Sequence, residues 1–108
     1  NEKVAYLYEP AHPAVLRMIK NIIEAGHANN IWVGMCGEMA SDAAFSVILL
    51  GLGLDEFSLT SLAIPQLKFI IRSVTIEESK KIAQEALSLS TAKAVESFME
   101  QKTKEILG

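Results

Sequence analysis

One stretch constrains the fold of this chain more than any other: residues 31–42, Ile-Trp-Val-Gly-Met-Cys-Gly-Glu-Met-Ala-Ser-Asp. Residues 31–35 form an apolar run with the length and composition of a buried strand. Gly37 breaks the run, and Ser41-Asp42 supplies the side-chain oxygens that start a helix. Strand, tight turn and helix in that order place Cys36, the only cysteine, where the strand ends. In parallel α/β folds the carboxyl ends of strands are where ligands sit and chemistry happens.

The rest of the chain extends this unit. Residues 1–10 read as an irregular lead-in carrying Tyr6 and Tyr8, because Pro10 and Pro13 push their preceding residues out of the helical region. Pro13 suits the first turn of a helix. Val15, Leu16, Ile19, Ile22, Ile23 and Gly26 then share one face, with Arg17, Lys20, Asn21 and Glu24 on the other. Gly26 and the asparagines at 29 and 30 supply the stop. The next helix, 43 to about 50, is almost wholly apolar and is expected to be buried on most sides, with Gly51 and Gly53 ending it.

A second short strand falls at 56–59, and Pro65 opens another helix whose inner face is Leu67, Ile70, Ile71 and Val74. Thr75-Ile-Glu-Glu78 has the spacing of a capping box, in which hydroxyl and carboxylate satisfy each other's free backbone donors. The helix it starts reaches about Leu89, with Ile82, Ala83, Ala86 and Leu87 inward and a Glu77–Lys81 pair outward. Ser90 or Thr91 caps a last helix to Ile106, with Val95, Phe98, Met99 and Ile106 on one side and Glu100 and Lys104 on the other.

Strands alternating with helices argue for an α/β fold with parallel pairing through helical crossovers. Two short strands alone make a poor sheet, since both faces need cover and the edges need pairing. The chain therefore reads as a piece of something larger, and hidden apolar edges predict association into a homo-oligomer.

Composition removes several classes of function. At 108 residues and half apolar, the chain can fill one packed domain and is not disordered. No apolar run approaches the ~20 residues of a membrane-spanning helix, and no secretory signal is visible. Ten basic residues are scattered among thirteen acids, which leaves no nucleic-acid footprint. A lone cysteine cannot form an internal disulfide and suits a reducing compartment, so a soluble cytoplasmic protein is expected.

Cys36 has three readings from its residues alone. It can be an inert buried thiol. It can be a nucleophile, which needs a nearby cation or activating histidine that its sequence neighbours do not supply. It can be a proton donor, which needs the thiol neutral. An unperturbed thiol has a pKa of about 8.5. Continued strand alternation would set Glu38 on the same face as Cys36, and a carboxylate or an apolar setting holds a thiol protonated. Glu38 itself either orients Cys36, lines the pocket mouth or serves as a helix-start carboxylate.

Gly34 and Gly37 suit close approach of backbone to ligand or neighbouring strand, though a plain turn also explains Gly37. His12, just ahead of Pro13, is read as a helix cap or an exposed residue rather than a metal ligand. With His27 fifteen residues on, the two histidines have no metal-ligand spacing, and no metal site is expected in this segment. Gly51-Leu-Gly53 follows a helix rather than a strand and is no phosphate cradle. Met18, Met35, Met39 and Met99 are read as core filler.

Gly34-Met-Cys-Gly-Glu-Met-Ala40 followed by Leu50-Gly-Leu-Gly-Leu-Asp-Glu-Phe-Ser58 closely resembles the C-terminal end of phosphoenolpyruvate (PEP)-utilising enzymes. Tyr8-Glu-Pro, His12-Pro-Ala-Val-Leu16 and Ile64-Pro65 fit its PEP–protein phosphotransferase branch, of the bacterial sugar phosphotransferase system. Pyruvate phosphate dikinase and PEP synthase share Cys-Gly-Glu and are the alternatives, as is a stand-alone interaction module without chemistry.

The resemblance covers essentially all of residues 1–108 and implies the C-terminal part of a (β/α)8 barrel, with the two strands as its seventh and eighth. A closed barrel needs ~200–250 residues. The resemblance implies a cytoplasmic dimeric enzyme that moves phosphoryl from PEP to its own histidine and then to a small phosphocarrier protein, with magnesium. The family's metal-binding carboxylates, phosphate-binding arginines and phosphorylated histidine match no position in this sequence, so they are expected ahead of Asn1, and the 108 residues alone are expected to be inactive. Among the readings of Cys36, the resemblance selects the proton donor to the enolate, with Gly37 and Glu38 in support.

Overall fold

The computed structural model describes residues 12–36, 43–59 and 61–108, with backbone alone for Cys36. Among them run helix α1 (Pro13–Ala28), strand β1 (Gly34–Cys36), helix α2 (Ala43–Leu52), strand β2 (Glu56–Ser58) and helices α3 (Ile64–Arg72), α4 (Ile76–Ser88) and α5 (Ala92–Leu107). The chain is mostly helical, and its two strands pair in parallel, Gly34 with Glu56, Met35 with Phe57 and Cys36 with Ser58. No helix among the described residues is long and apolar enough to cross a membrane.

Several of the helix ends have a local reason. His12 caps α1, its Nδ1 accepting from the Ala14 amide at 3.1 Å, and Pro13 opens the first turn. The far end closes through Asn30 in the left-handed region (φ 58°). There the Asn30 amide donates to the His27 carbonyl (3.1 Å) and the Ile31 amide to that of Gly26 (2.8 Å), the paired bonds of a Schellman stop.

The same device ends α2, with Gly53 (φ 96°) in the left-handed place and Leu54 donating back to Leu49 at 3.0 Å. Thr75 and Glu78 form the expected capping box on α4, at 3.0 and 3.2 Å. Thr91 caps α5 by accepting from the Ala94 amide at 3.1 Å.

Helix α2 is the centre of the core. Ala43 to Leu49 are all buried, as a helix apolar on every side must be. It packs chiefly on α4, with α3 and α5 against its other sides. Phe45, Ile48 and Leu49 meet Leu16, Ile19 and Ile23 of α1, Ala83 and Ala86 of α4 and Val95 of α5. Met35 and Phe57, opposite each other on the strands, are half-buried against this cluster, whereas Gly34, Glu56 and Ser58 lie on the exposed face.

Several sequence expectations are corrected. The strand covers Gly34–Cys36, not 31–35, because the Ile31 amide is spent on the helix stop and Ile31 and Trp32 stand out from the body, Trp32 at 79% exposure. The second strand stops at Ser58, short of Leu59. Ile22 and Met18 on α1 are exposed, so Met18 is not core filler; Met35 and Met99 pack beside the core. Gly51 does not end α2 but sits within it, where a methyl group would collide with the Ser79 carbonyl of α4 and stand 2.9 Å from Ala83 Cβ.

Ser79 is fully buried there, its hydroxyl donating to the Ile76 carbonyl at 2.7 Å. No ion pair joins Glu77 to Lys81 among the described residues; on α5, Lys102 pairs with Glu105 (3.2 Å). Tyr6, Tyr8, Met39 and the Ser41-Asp42 cap lie outside the described residues.

Candidate functional site

Parallel pairing sets the carboxyl ends of both strands at one edge. Cys36 is the last residue of β1, level with Ser58, the last of β2. Its backbone therefore stands where parallel α/β folds gather ligands. Gly37 and Glu38, named beside it from the sequence, lie outside the described residues. Gly34 leaves ordinary space: a methyl group there would meet Glu56 Cβ at 3.4 Å, so the neighbouring strand does not require a glycine.

At the opposite end of the strands the structure brings together three groups that sequence spacing did not connect. Asp55 precedes β2, Val33 precedes β1 and His27 closes α1. One carboxylate oxygen, Asp55 Oδ2, accepts from the Val33 amide at 2.9 Å and lies 2.7 Å from His27 Nε2. The Asp55 amide in turn donates to the Val33 carbonyl at 3.0 Å.

The Val33 amide, and after it the His27 ring, favour the ionised carboxylate and hold the Asp55 pKa below its ordinary value. An ionised carboxylate only accepts, so His27 Nε2 carries the proton in this contact. Beneath the ring, a methyl group on Gly53 would lie 3.4 Å from His27 Cε1. His27 and Asp55 are twenty-eight residues apart, and only the parallel pairing makes them neighbours. The signal available in the sequence was an aspartate just ahead of one strand and a histidine in the last turn of the helix that leads to the other.

The two histidines thus serve separate places, His12 as a helix cap and His27 in this cluster. Among the described residues no group of three or more His, Cys, Asp or Glu side chains is placed to hold a metal ion. A groove of about 310 Å³ between α4 and α5, lined by Glu78, Lys81, Ile82, Glu85, Lys102 and Glu105, is remote in sequence from β1. Glu78 is used in the capping box and Lys102 in an ion pair with Glu105.

Residues 1–76 match the family described as PEP-utilising enzyme, PEP-binding domain. The chain belongs to that family. Among its relatives in the PEP-utilising family are proteins named phosphoenolpyruvate-protein phosphotransferase. That of Haemophilus influenzae is 44% identical over 94% of this chain and 18% of its own length. That of Listeria monocytogenes is 46% identical over 97% of the chain and 18% of its own length. That of Geobacillus stearothermophilus is 48% identical over 94% of the chain and 18% of its own length. The chain thus spans under a fifth of the length of these curated relatives.

Proposed function

We propose that this chain is the C-terminal part of a (β/α)8 PEP-binding barrel, β1 and β2 being its last two strands. The enzyme it belongs to moves phosphoryl from PEP to its own histidine and then to a phosphocarrier protein. The observation that carries this reading is the chain's one cysteine ending a strand of a parallel pair in a PEP-utilising sequence. Support also comes from the exposed Met18, Ile22, Ile31 and Trp32, apolar surface of the kind that further protein covers. Magnesium, in this reading, is held by residues outside the described part of the chain.

The chemistry assigned to Cys36 is one proton transfer. Loss of the phosphoryl group from PEP leaves the enolate of pyruvate, whose electron pair is available at its methylene carbon. The Cys36 S–H bond breaks, its proton bonds to that carbon, and pyruvate leaves. The thiolate is then reprotonated from solvent. A thiol with a pKa near 8.5 or above is neutral at physiological pH, as this role requires. The period-two alternation of a strand gives position 36 the face of Gly34, away from the core side of Met35. On that face a barrel interior would lie.

The test is exchange of label between PEP and pyruvate. The whole enzyme carrying this sequence exchanges it; the 108 residues alone do not. Turnover by the isolated chain, or no exchange by the whole enzyme, would overturn the reading.

A further inference from the structure

Among the described residues three pairs hold β1 to β2, and one member of the first pair is a glycine. A slip by one residue would exchange the two faces of β1, turning Met35 out of the core and moving position 36 to the wrong side. Within the pair itself, little but the half-buried Met35 and Phe57 opposes such a slip. The restraint lies just ahead of it. Asp55 grips Val33 twice, through its carboxylate on the Val33 amide (2.9 Å) and its own amide on the Val33 carbonyl (3.0 Å). His27 Nε2 holds the same carboxylate oxygen at 2.7 Å and so ties the grip to the end of α1. That helix end is itself fixed by the stop at Asn30.

We propose that Asp55, seated between the Val33 amide and the His27 ring, is a positioning residue that sets the register of β1 on β2 and thereby the place of Cys36. The proposal rests on the proton-donor reading of Cys36. Val33 and Cys36 are three residues apart, about 10 Å along a strand, so Asp55 acts through the strand. Misplacing a reacting group by about 1 Å can cost on the order of a hundredfold in rate, so a small loss of register is enough to be read in kcat.

Two measurements test this. In the whole enzyme, amide exchange reads the grip directly. Asp55→Ala should speed exchange at Val33 by about tenfold or more while amides of α2 and α4 keep their protection, and Asp55→Asn, which retains an acceptor oxygen, should restore Val33. Unchanged protection of Val33 in Asp55→Ala overturns the proposal. Should Asp55→Ala also lose the helix amides, the decision passes to Asp55→Asn: a protected Val33 supports the grip, an unprotected one in a folded chain refutes it.

In the whole enzyme, Asp55→Ala should lower kcat of pyruvate formation by roughly ten- to a hundredfold with KM for PEP unchanged, rescued by Asp55→Asn. In a Cys36→Ala background Asp55→Ala should cost nothing further, because both act on the same step. Full additivity of the two losses overturns the link to Cys36. If Cys36→Ala alone leaves pyruvate formation intact, it is the proton-donor reading that fails, and the exchange data still judge the register.

Discussion

The seam between α2 and α4 and the seam between β1 and β2 are held by opposite means. The first is closely packed: seven consecutive residues of α2 are buried, and Gly51 lets its backbone approach Ser79 without an intervening side chain. The second is short and half-exposed, and its most directional restraint is a carboxylate shared between a backbone amide and a histidine. Stability is therefore concentrated in the helices, while the strand that ends at the candidate catalytic cysteine is held by polar geometry. A stable body with a separately positioned strand is what a site-bearing segment requires, since packing tolerates little change of volume whereas polar contacts fix direction.

That contrast can be broken from either side. Phe45→Ala removes the largest fully buried side chain among the described residues, at the centre of the helical core. It should destabilise the chain by about 3–5 kcal/mol in denaturant titration. A loss below about 1 kcal/mol would mean that the helices do not carry the fold.

Gly51→Ala forces a methyl into the Ser79 backbone, which cannot yield as a flexible side chain would. A cost of about 1–3 kcal/mol is expected, and a neutral result would show that α2 and α4 do not cross so closely.

Acid should act mainly on the other seam. The folded pKa of Asp55 lies below its unfolded value of about 3.9. Its stabilising contribution is thus fully present above that value and is lost as pH falls through the lower folded pKa. Exchange at Val33 should accelerate in that acid window, and Asp55→Asn should flatten the dependence. A Val33 amide indifferent to acid would place its protection elsewhere.

Local chemistry made the helices legible. Proline at position 13, the Thr75–Glu78 box and the 3.6-residue apolar period of α1 each act within a turn or two of themselves, and the structure agrees with them closely. Burial was harder to read. Ile31 and Trp32 have a strand's composition, but the Ile31 amide is committed to ending α1, and composition does not show that competition. Ile22 satisfies the helical period and still faces out, because period identifies a stripe without fixing its width.

Gly51 was misread for a related reason: a glycine that permits close approach and one that ends a helix look alike until Ser79 is known to lie opposite. The grip of Asp55 on Val33 and His27 exists only once two strands stand side by side, so no local spacing announces it. The strand end at Cys36 was legible because an apolar run, a break and an apolar helix follow in order, and the backbone bears out that position.

The most direct measurement is a single turnover of the whole enzyme with Cys36→Ala, following phosphohistidine and pyruvate separately. If Cys36 protonates the enolate, phosphohistidine should form at a rate near that of the unaltered enzyme. Pyruvate should then appear slower by roughly a hundredfold or more, the scale of a lost general acid. Pyruvate released as fast as phosphohistidine forms would contradict the account.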